Sequence, residues 1–205
     1  MTCIAIIPAR GGSTRIPRKN IRLFHGKPII EYSIKAAYDS GLFARVFVST
    51  DSPQVSSVAY RAGADVLWRP DHLAKDEVGT QAVVADALEH VCKDWLTVKP
   101  PKYACCIYAT APLMKPLDLI YGYARLRETG APYCYTVGDN WQDAGQWYWG
   151  RTDEFIRGAS LDQATFYRLP ATRVCDINVE ADWIRAEQLY ANMQLGDAYD
   201  QQQRA

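Results

Sequence analysis

A three-layer α/β fold on a mostly parallel sheet is the architecture this sequence predicts, and three observations carry it. Short apolar runs alternate with amphipathic stretches along the chain. The runs mostly lack polar alternation, as strands covered on both faces do. The first run leads straight into a glycine turn, and sheets of this kind bind ligands in the loops at the carboxyl ends of their strands.

Taken in order, Cys3–Ala9, Arg45–Thr50, Asp65–Trp68, Tyr103–Tyr108 and Tyr133–Val137 read as strands. Between them, Pro28–Ser40 sets Ile30, Ile34, Ala37 and Tyr38 on one side, and Gln81–Trp95 does the same with Val84, Ala87, Leu88 and Val91, so both read as covering helices. Asp51-Ser52-Pro53 offers an N-cap followed by a proline tolerated in the first turn, and Pro116 with Asp118 opens a helix that runs to Arg127. The β-α-β-α order favours right-handed crossovers. After Val137 the stretch Gly138–Gly150 turns polar and aromatic and reads as a ligand-facing loop entering a short strand. Thr165–Leu169 and Arg173–Ile177 are two further strand candidates. Glu180–Met193 reads as a last helix with Trp183, Ala186, Leu189 and Tyr190 at helical spacing, and the polar tail from Gln194 is expected to fray. Residues 1–193 are thus expected to form a single domain and 194–205 a tail.

At 205 residues, 48% hydrophobic and 22% charged, the chain suffices for one substantial core. Its 23 Lys+Arg balance 23 Asp+Glu, which argues against the basic face a nucleic-acid protein needs. Cys3–Ala9 is far shorter than the roughly 20 apolar residues of a membrane helix and lacks signal-peptide organisation, so a cytoplasmic protein with a small-molecule partner is expected. Six cysteines show no C-x-x-C spacing, and four lie in strand-like runs; buried reduced thiols are the expectation.

Against this balanced background, Ile4–Asn20 carries four cations and no carboxylate. Gly11 and Gly12 let the backbone turn and point N–H groups at an anion, while Arg10, Arg15, Arg18 and Lys19 add charged donors. A nucleotide polyphosphate is the simplest ligand for such a loop; the alternative is an exposed turn with solvated cations. Neither G-x-x-x-x-G-K-[ST] nor G-x-G-x-x-G is present, so neither an ATPase nor a dehydrogenase follows. In Arg173–Asn178, Asp176 and Asn178 would point the same way if extended and could share Mg²⁺ with a polyphosphate; the alternative is a strand end that caps the following helix. Ser49-Thr50-Asp51, Arg69-Pro70 and Ala109–Leu113 are polar strand ends at one expected rim. Asp143 and Gln146 of Asp143-Ala144-Gly145-Gln146 could hydrogen-bond a polyhydroxylated substrate, with Trp147 or Trp149 as an apolar wall; the alternative is aromatic core packing. His25, His72 and His90 are scattered and form no metal or nucleophile set.

Ala9-Arg10-Gly11-Gly12-Ser13-Thr14-Arg15-Ile16-Pro17-Arg18-Lys19-Asn20, Val48-Ser49-Thr50-Asp51, Arg69-Pro70 and Asp176-Ile177-Asn178 together resemble the acylneuraminate (CMP-sugar) cytidylyltransferases. Within that family, Ile107-Tyr108-Ala109-Thr110-Ala111-Pro112 and Asp143–Gly150 are most similar to the branch acting on pseudaminic acid. The resemblance implies a nucleotide-diphospho-sugar transferase (Rossmann-like) fold, usually dimeric, that uses CTP and Mg²⁺, joins CMP to a nine-carbon sugar acid and releases pyrophosphate. It would place Arg10, Ser13, Lys19 and Asn20 at the triphosphate and cytidine, Arg69 and Thr80 at the nucleoside, and Asp176 at the metal. The chain departs from these relatives at Thr14, where they carry lysine, at Asn178, where they carry aspartate, and in the short Gly138–Gln142 connection. A catalytically weak CTP-binding relative and an enzyme for another sugar acid, such as N-acetylneuraminic or legionaminic acid, are the alternatives.

Overall fold

The computed structural model describes residues 2–94 and 100–204; Trp95, expected at the end of a helix, lies outside them. The chain runs β1 (Cys3–Pro8), a small hairpin of β2 (Leu23–Phe24) and β3 (Lys27–Pro28), α1 (Ile29–Asp39), β4 (Phe43–Thr50), α2 (Pro53–Arg61) and β5 (Asp65–Trp68). It continues through α3 (Thr80–Asp94), β6 (Tyr103–Ile107), α4 (Pro116–Thr129), β7 (Tyr133–Val137), β8 (Asp143–Arg151), α5 (Thr152–Arg157), β9 (Thr165–Arg168) and α6 (Glu180–Arg204).

Seven strands form one sheet in the order β5-β4-β1-β6-β8-β7-β9. β1 pairs in parallel with β4 and β6, β4 with β5, and β7 with β9; β8 is antiparallel to both its neighbours. β1 explains why the sheet needs cover on both faces. Its Cys3, Ala5 and Ile7 enter one apolar cluster with residues of α1, α2 and α4, while Ile4 and Ile6 enter another with α3 and α5. Each fully buried isoleucine contributes about 1.5–3 kcal/mol from the removal of apolar surface from water. A third cluster joins Ile16, the hairpin residue Phe24, Leu113 and Ile177 to Trp183 and Ala186 of α6. β1 hydrogen-bonds β4 on one side and β6 on the other, so the chain winds away from it in two directions, and the crevice at that switch point opens at the carboxyl ends of β1 and β6.

The expected helices form where their apolar stripes dictate, with Ser52 capping α2 through the Val55 N–H at 3.4 Å. Tyr38 is the exception to its stripe: it stays exposed and donates from its hydroxyl to the Gly63 carbonyl at 2.5 Å.

Three expectations need correction. Gly138–Gly150 contains no short strand at the end of a loop: β8 spans nine residues in the middle of the sheet, and Trp147 and Trp149 are fully buried. Stacking of Trp149 on Phe43, 5.1 Å apart, and the burial of Trp147 against α4 remove both from any ligand wall. Arg173–Ile177 is no strand, because a 3₁₀ turn over Ala171–Arg173 follows Pro170 and Cys175 and Ile177 then pack beneath α6. Finally, α6 continues past Met193 to Arg204; no proline interrupts it, and Lys115 pairs with Asp197 at 2.7 Å.

All six cysteines are free and five are buried; burial pushes the Cys134 thiol up to about 12 and Cys105 well above the usual thiol range. Among the described residues, no helix is long and apolar enough to cross a membrane.

Candidate active site

Between the carboxyl ends of β1 and β6 lies a polar cleft that gathers Arg10, Ser13, Thr14, Arg15, Lys19, Asn20, Arg69, Thr80 and Asn178, with Lys75, Asp76 and Tyr108. The glycine turn reaches it through bracing from β4. Asp51 accepts the Gly11 N–H at 2.8 Å, and a Cβ on Gly11 would lie 2.7 Å from the Ser52 Cβ. Gly11 is thus required for close approach to α2, and its N–H is already spent. That corrects the expectation that both glycine amides face an anion. Gly11, Gly12 and Arg18 line the other side of the turn, against Ser52 and Gln54.

Within the cleft the cations are held by specific partners. Asn20 donates from Nδ2 to the Arg10 carbonyl at 2.9 Å, which fixes the turn from its far end. Arg10 is paired with Asp76 of the β5–α3 connection. Lys19 Nζ donates to the Ile177 carbonyl at 2.6 Å; burial lowers its pKa from the ordinary lysine value, and the nearby Asp176 charge opposes that drop. Arg15 Nη2 donates to Asn178 Oδ1 at 3.1 Å. Arg22 forms a bidentate pair with Glu180 at 2.6 Å on both arms. The glycine turn is therefore clasped to a segment about 160 residues away in sequence.

On the opposite wall Arg69 is 7% exposed and donates from Nη2 to the Ser49 carbonyl at 2.8 Å. Burial lowers the pKa of this guanidinium. Thr80, at the start of α3, lines the cleft beside Tyr108, whose phenol burial pushes up. Ser49, Thr50 and Asp51 thus shape the cleft from behind, bracing Arg69, Ser52 and Gly11.

A carboxylate corner lies beside the cations. Gly145 adopts φ +63°, and a Cβ there would lie 3.0 Å from Asp176 Cγ, so Asp176 sits against the β8 backbone where only glycine fits. Asp143 accepts the Gly145 N–H at 2.8 Å and the Tyr148 hydroxyl. Burial pushes the Asp143 carboxyl up, the Gly145 N–H opposes the rise and the Asp176 charge adds to it. Asn178 donates from Nδ2 to Asp176 Oδ2 at 2.6 Å, which leaves its oxygen to Arg15. The extended alternation expected for Asp176 and Asn178 is absent, yet the two side chains meet. Among the described residues no group of three or more His, Cys, Asp and Glu forms a ready metal cage. One or two carboxylates beside a phosphate-binding loop nevertheless suit a Mg²⁺ that takes its remaining ligands from phosphate and water.

Gln146 needs correction as a substrate contact. It is 2% exposed, and its Nε2 donates to the Arg173 carbonyl at 2.5 Å, so it fastens the 170s segment from below. Asp76 and Lys75 were not legible as cleft residues, since a polar loop of ordinary composition carries no spacing signal.

A nucleotide-binding α/β protein of the kind that transfers a nucleotidyl group is the class that this fold and this cleft define. The chain matches the model of the family described as Cytidylyltransferase over residues 4–149, and it belongs to that family. It is 30% identical to the pseudaminic acid cytidylyltransferase of Campylobacter jejuni, across 93% of this chain and 97% of that protein. That alignment spans 227 positions, more than the 205 residues of this chain, so the relative has residues with no counterpart here. Over 43% of the chain it is 46% identical to the CMP-N,N'-diacetyllegionaminic acid synthase of Legionella pneumophila, covering 38% of that protein. In fold it is similar to CMP:2-keto-3-deoxy-manno-octonic acid synthetase complexed with CTP, with a TM-score of 0.74 at 15% identity over 94% of this chain and 100% of that one.

Proposed function

We propose that the protein transfers CMP from CTP to a nine-carbon 2-keto sugar acid, pseudaminic acid first among them, and releases pyrophosphate. The observation that carries this reading is the clasp: Lys19 on the Ile177 carbonyl and Arg15 on Asn178 hold a cation-rich turn beside Asp176. Membership in the cytidylyltransferase family and the likeness to a pseudaminic acid enzyme along nearly the whole chain support the nucleotide and the acceptor.

In this reading Arg10, Ser13, Arg15, Lys19 and Asn20 bind the triphosphate, and Arg69 and Thr80 act at the nucleoside. Asp176 would hold a divalent cation, with Asn178 or Asp143 as a second oxygen donor. Such a cation, Mg²⁺ as the resemblance implies, would neutralise charge on the phosphates; a solved structure of similar fold, Rv0371c of Mycobacterium tuberculosis, is a manganese complex. The anomeric hydroxyl of the sugar attacks the α-phosphorus and gives up its proton to solvent, while the bond from the α-phosphorus to the bridging oxygen breaks and its electron pair leaves with pyrophosphate. Such a reaction is governed by positioning and charge, so cations orient the triphosphate and stabilise the departing pyrophosphate without a covalent nucleophile. Arg10 becomes available once Asp76 gives way to phosphate. The same resemblance extends the proposal to a cytoplasmic homodimer, which light scattering of the purified protein checks.

Pyrophosphate release from CTP, Mg²⁺ and a panel of pseudaminic, legionaminic, neuraminic and 3-deoxy-octulosonic acids tests the function. Turnover is expected, fastest with pseudaminic acid. CTP binding with no product from any acceptor would instead mark a nucleotide-binding relative without transferase activity.

A further inference from the structure

The segment that carries Asp176 leaves the sheet after Leu169, its last residue with a backbone–backbone bond to a strand, through the Val137 carbonyl at 2.9 Å. From there to Ile177 the backbone is a 3₁₀ turn followed by irregular chain. Besides the apolar Cys175 and Ile177, one charged side chain in it reaches into the protein. Arg173, 16% exposed, forks onto Asp118, 3% exposed, with Nη1 on Oδ2 and Nη2 on Oδ1. Asp118 is fixed in turn: it accepts the Lys115 N–H at 2.8 Å in the first turn of α4. The helix N-terminus stabilises the negative charge there. Gln146 holds the Arg173 carbonyl from below.

The fork makes two parallel bonds, so it fixes direction as well as distance. Asp176 lies three residues beyond Arg173 and one residue before Ile177, whose carbonyl Lys19 holds. A five-residue connection links Thr110, which lines the cleft with Ala109, to the start of α4 at Pro116, so the fork ties the acidic segment to the chain that leaves the cleft wall.

We infer that Asp118 and Arg173 are positioning residues that set the Asp176 carboxylate for the divalent cation, from outside the cleft and without touching nucleotide. The inference rests on the reading of Asp176 as the metal-holding residue. It separates two quantities that a general loss of structure would move together: CTP affinity without metal depends on the cation-rich turn, while the metal requirement depends on the fork.

Asp118→Asn keeps an oxygen for the Lys115 N–H and removes the charge from the fork; Arg173→Lys keeps the charge and removes the second arm. Each variant is compared with wild type and Asp176→Ala in three measurements. These are thermal unfolding, CTP titration in EDTA, and Mg²⁺ dependence of pyrophosphate release at saturating CTP and sugar acid. For Asp118→Asn, EDTA-state CTP affinity is expected within about twofold of wild type while the half-saturating Mg²⁺ concentration rises at least about tenfold, with Arg173→Lys intermediate. If Asp118→Asn does not fold, Arg173→Lys alone decides by the same split. A folded variant with an unchanged Mg²⁺ midpoint overturns the inference, as does a parallel loss of metal-free CTP affinity. An Asp176→Ala protein with an unchanged Mg²⁺ requirement overturns instead the metal reading on which the inference stands.

Discussion

The two halves of the sheet solve opposite problems. In β5-β4-β1-β6 every strand pair is parallel, and the turn after β1 is braced by Asp51, Ser52 and Asn20. In β8-β7-β9 an antiparallel strand is inserted, and beside it Asp176 sits on irregular backbone held by long-range bonds: Arg173 to Asp118, Lys19 to Ile177 and Gln146 to Arg173. The first half presents Arg10, Arg15 and Lys19 and the second presents Asp143 and Asp176, so in the proposed function a triphosphate with its metal would bind where they meet and answer to both halves at once.

Removing the acidic half is expected to have the largest effect. Asp176→Ala should lower kcat by about 10²–10³-fold, the scale on which loss of transition-state charge stabilisation acts, as read by pyrophosphate release. Removing one cation from the other half comes next. Lys19→Ala or Arg10→Ala should raise KM for CTP by about 10–100-fold, since a charge-assisted hydrogen bond contributes about 1.5–3 kcal/mol. Unchanged kinetics would take that residue out of the site.

Asp76→Asn acts in the opposite sense. It frees Arg10 from an exposed partner, and because such pairs contribute about 1 kcal/mol or less, KM for CTP should fall by no more than about fivefold with kcat unaltered. A rise in KM would show that Asp76 helps the nucleotide instead of competing with it.

Asp182→Ala tests the junction between the Asp176 segment and α6. Its carboxylate accepts the Asn178 and Val179 N–H groups at 2.8 and 2.9 Å, and these bonds hold its pKa below the usual 3.8. The loss should be about 1 kcal/mol of stability, as for other helix-start caps. The carboxyl is depressed in the folded state, so its contribution is fully present above the ordinary aspartate range. It disappears as pH falls through the lower folded value, and wild type and variant should converge in acid. Urea unfolding at pH 7 and in acid measures both limbs.

How far the sequence revealed each half follows from how each is built. The parallel half was legible because its signals are local: apolar runs for β1, β4 and β6, Ser52-Pro53 for the start of α2, and four cations in one turn of a charge-balanced chain. The mixed half was read less well. β8 carries Asp143, Gly145 and Gln146 among its aromatics, so its composition imitates a loop, and only tertiary burial between β6 and β7 makes it a strand. Gln146 looked like a substrate contact because no local pattern tells a buried amide that holds a backbone carbonyl from an exposed one. Arg173 and Asp118, 55 residues apart, likewise carry no motif.

CTP titration with and without Mg²⁺, on wild type and on Asp176→Ala, tests most directly that the site needs both halves. The expected result is that Mg²⁺ tightens CTP binding to wild type, while Asp176→Ala retains the metal-free affinity and loses the metal-linked gain. An equal gain in both proteins would contradict a site formed where the cation-rich turn meets the Asp176 segment.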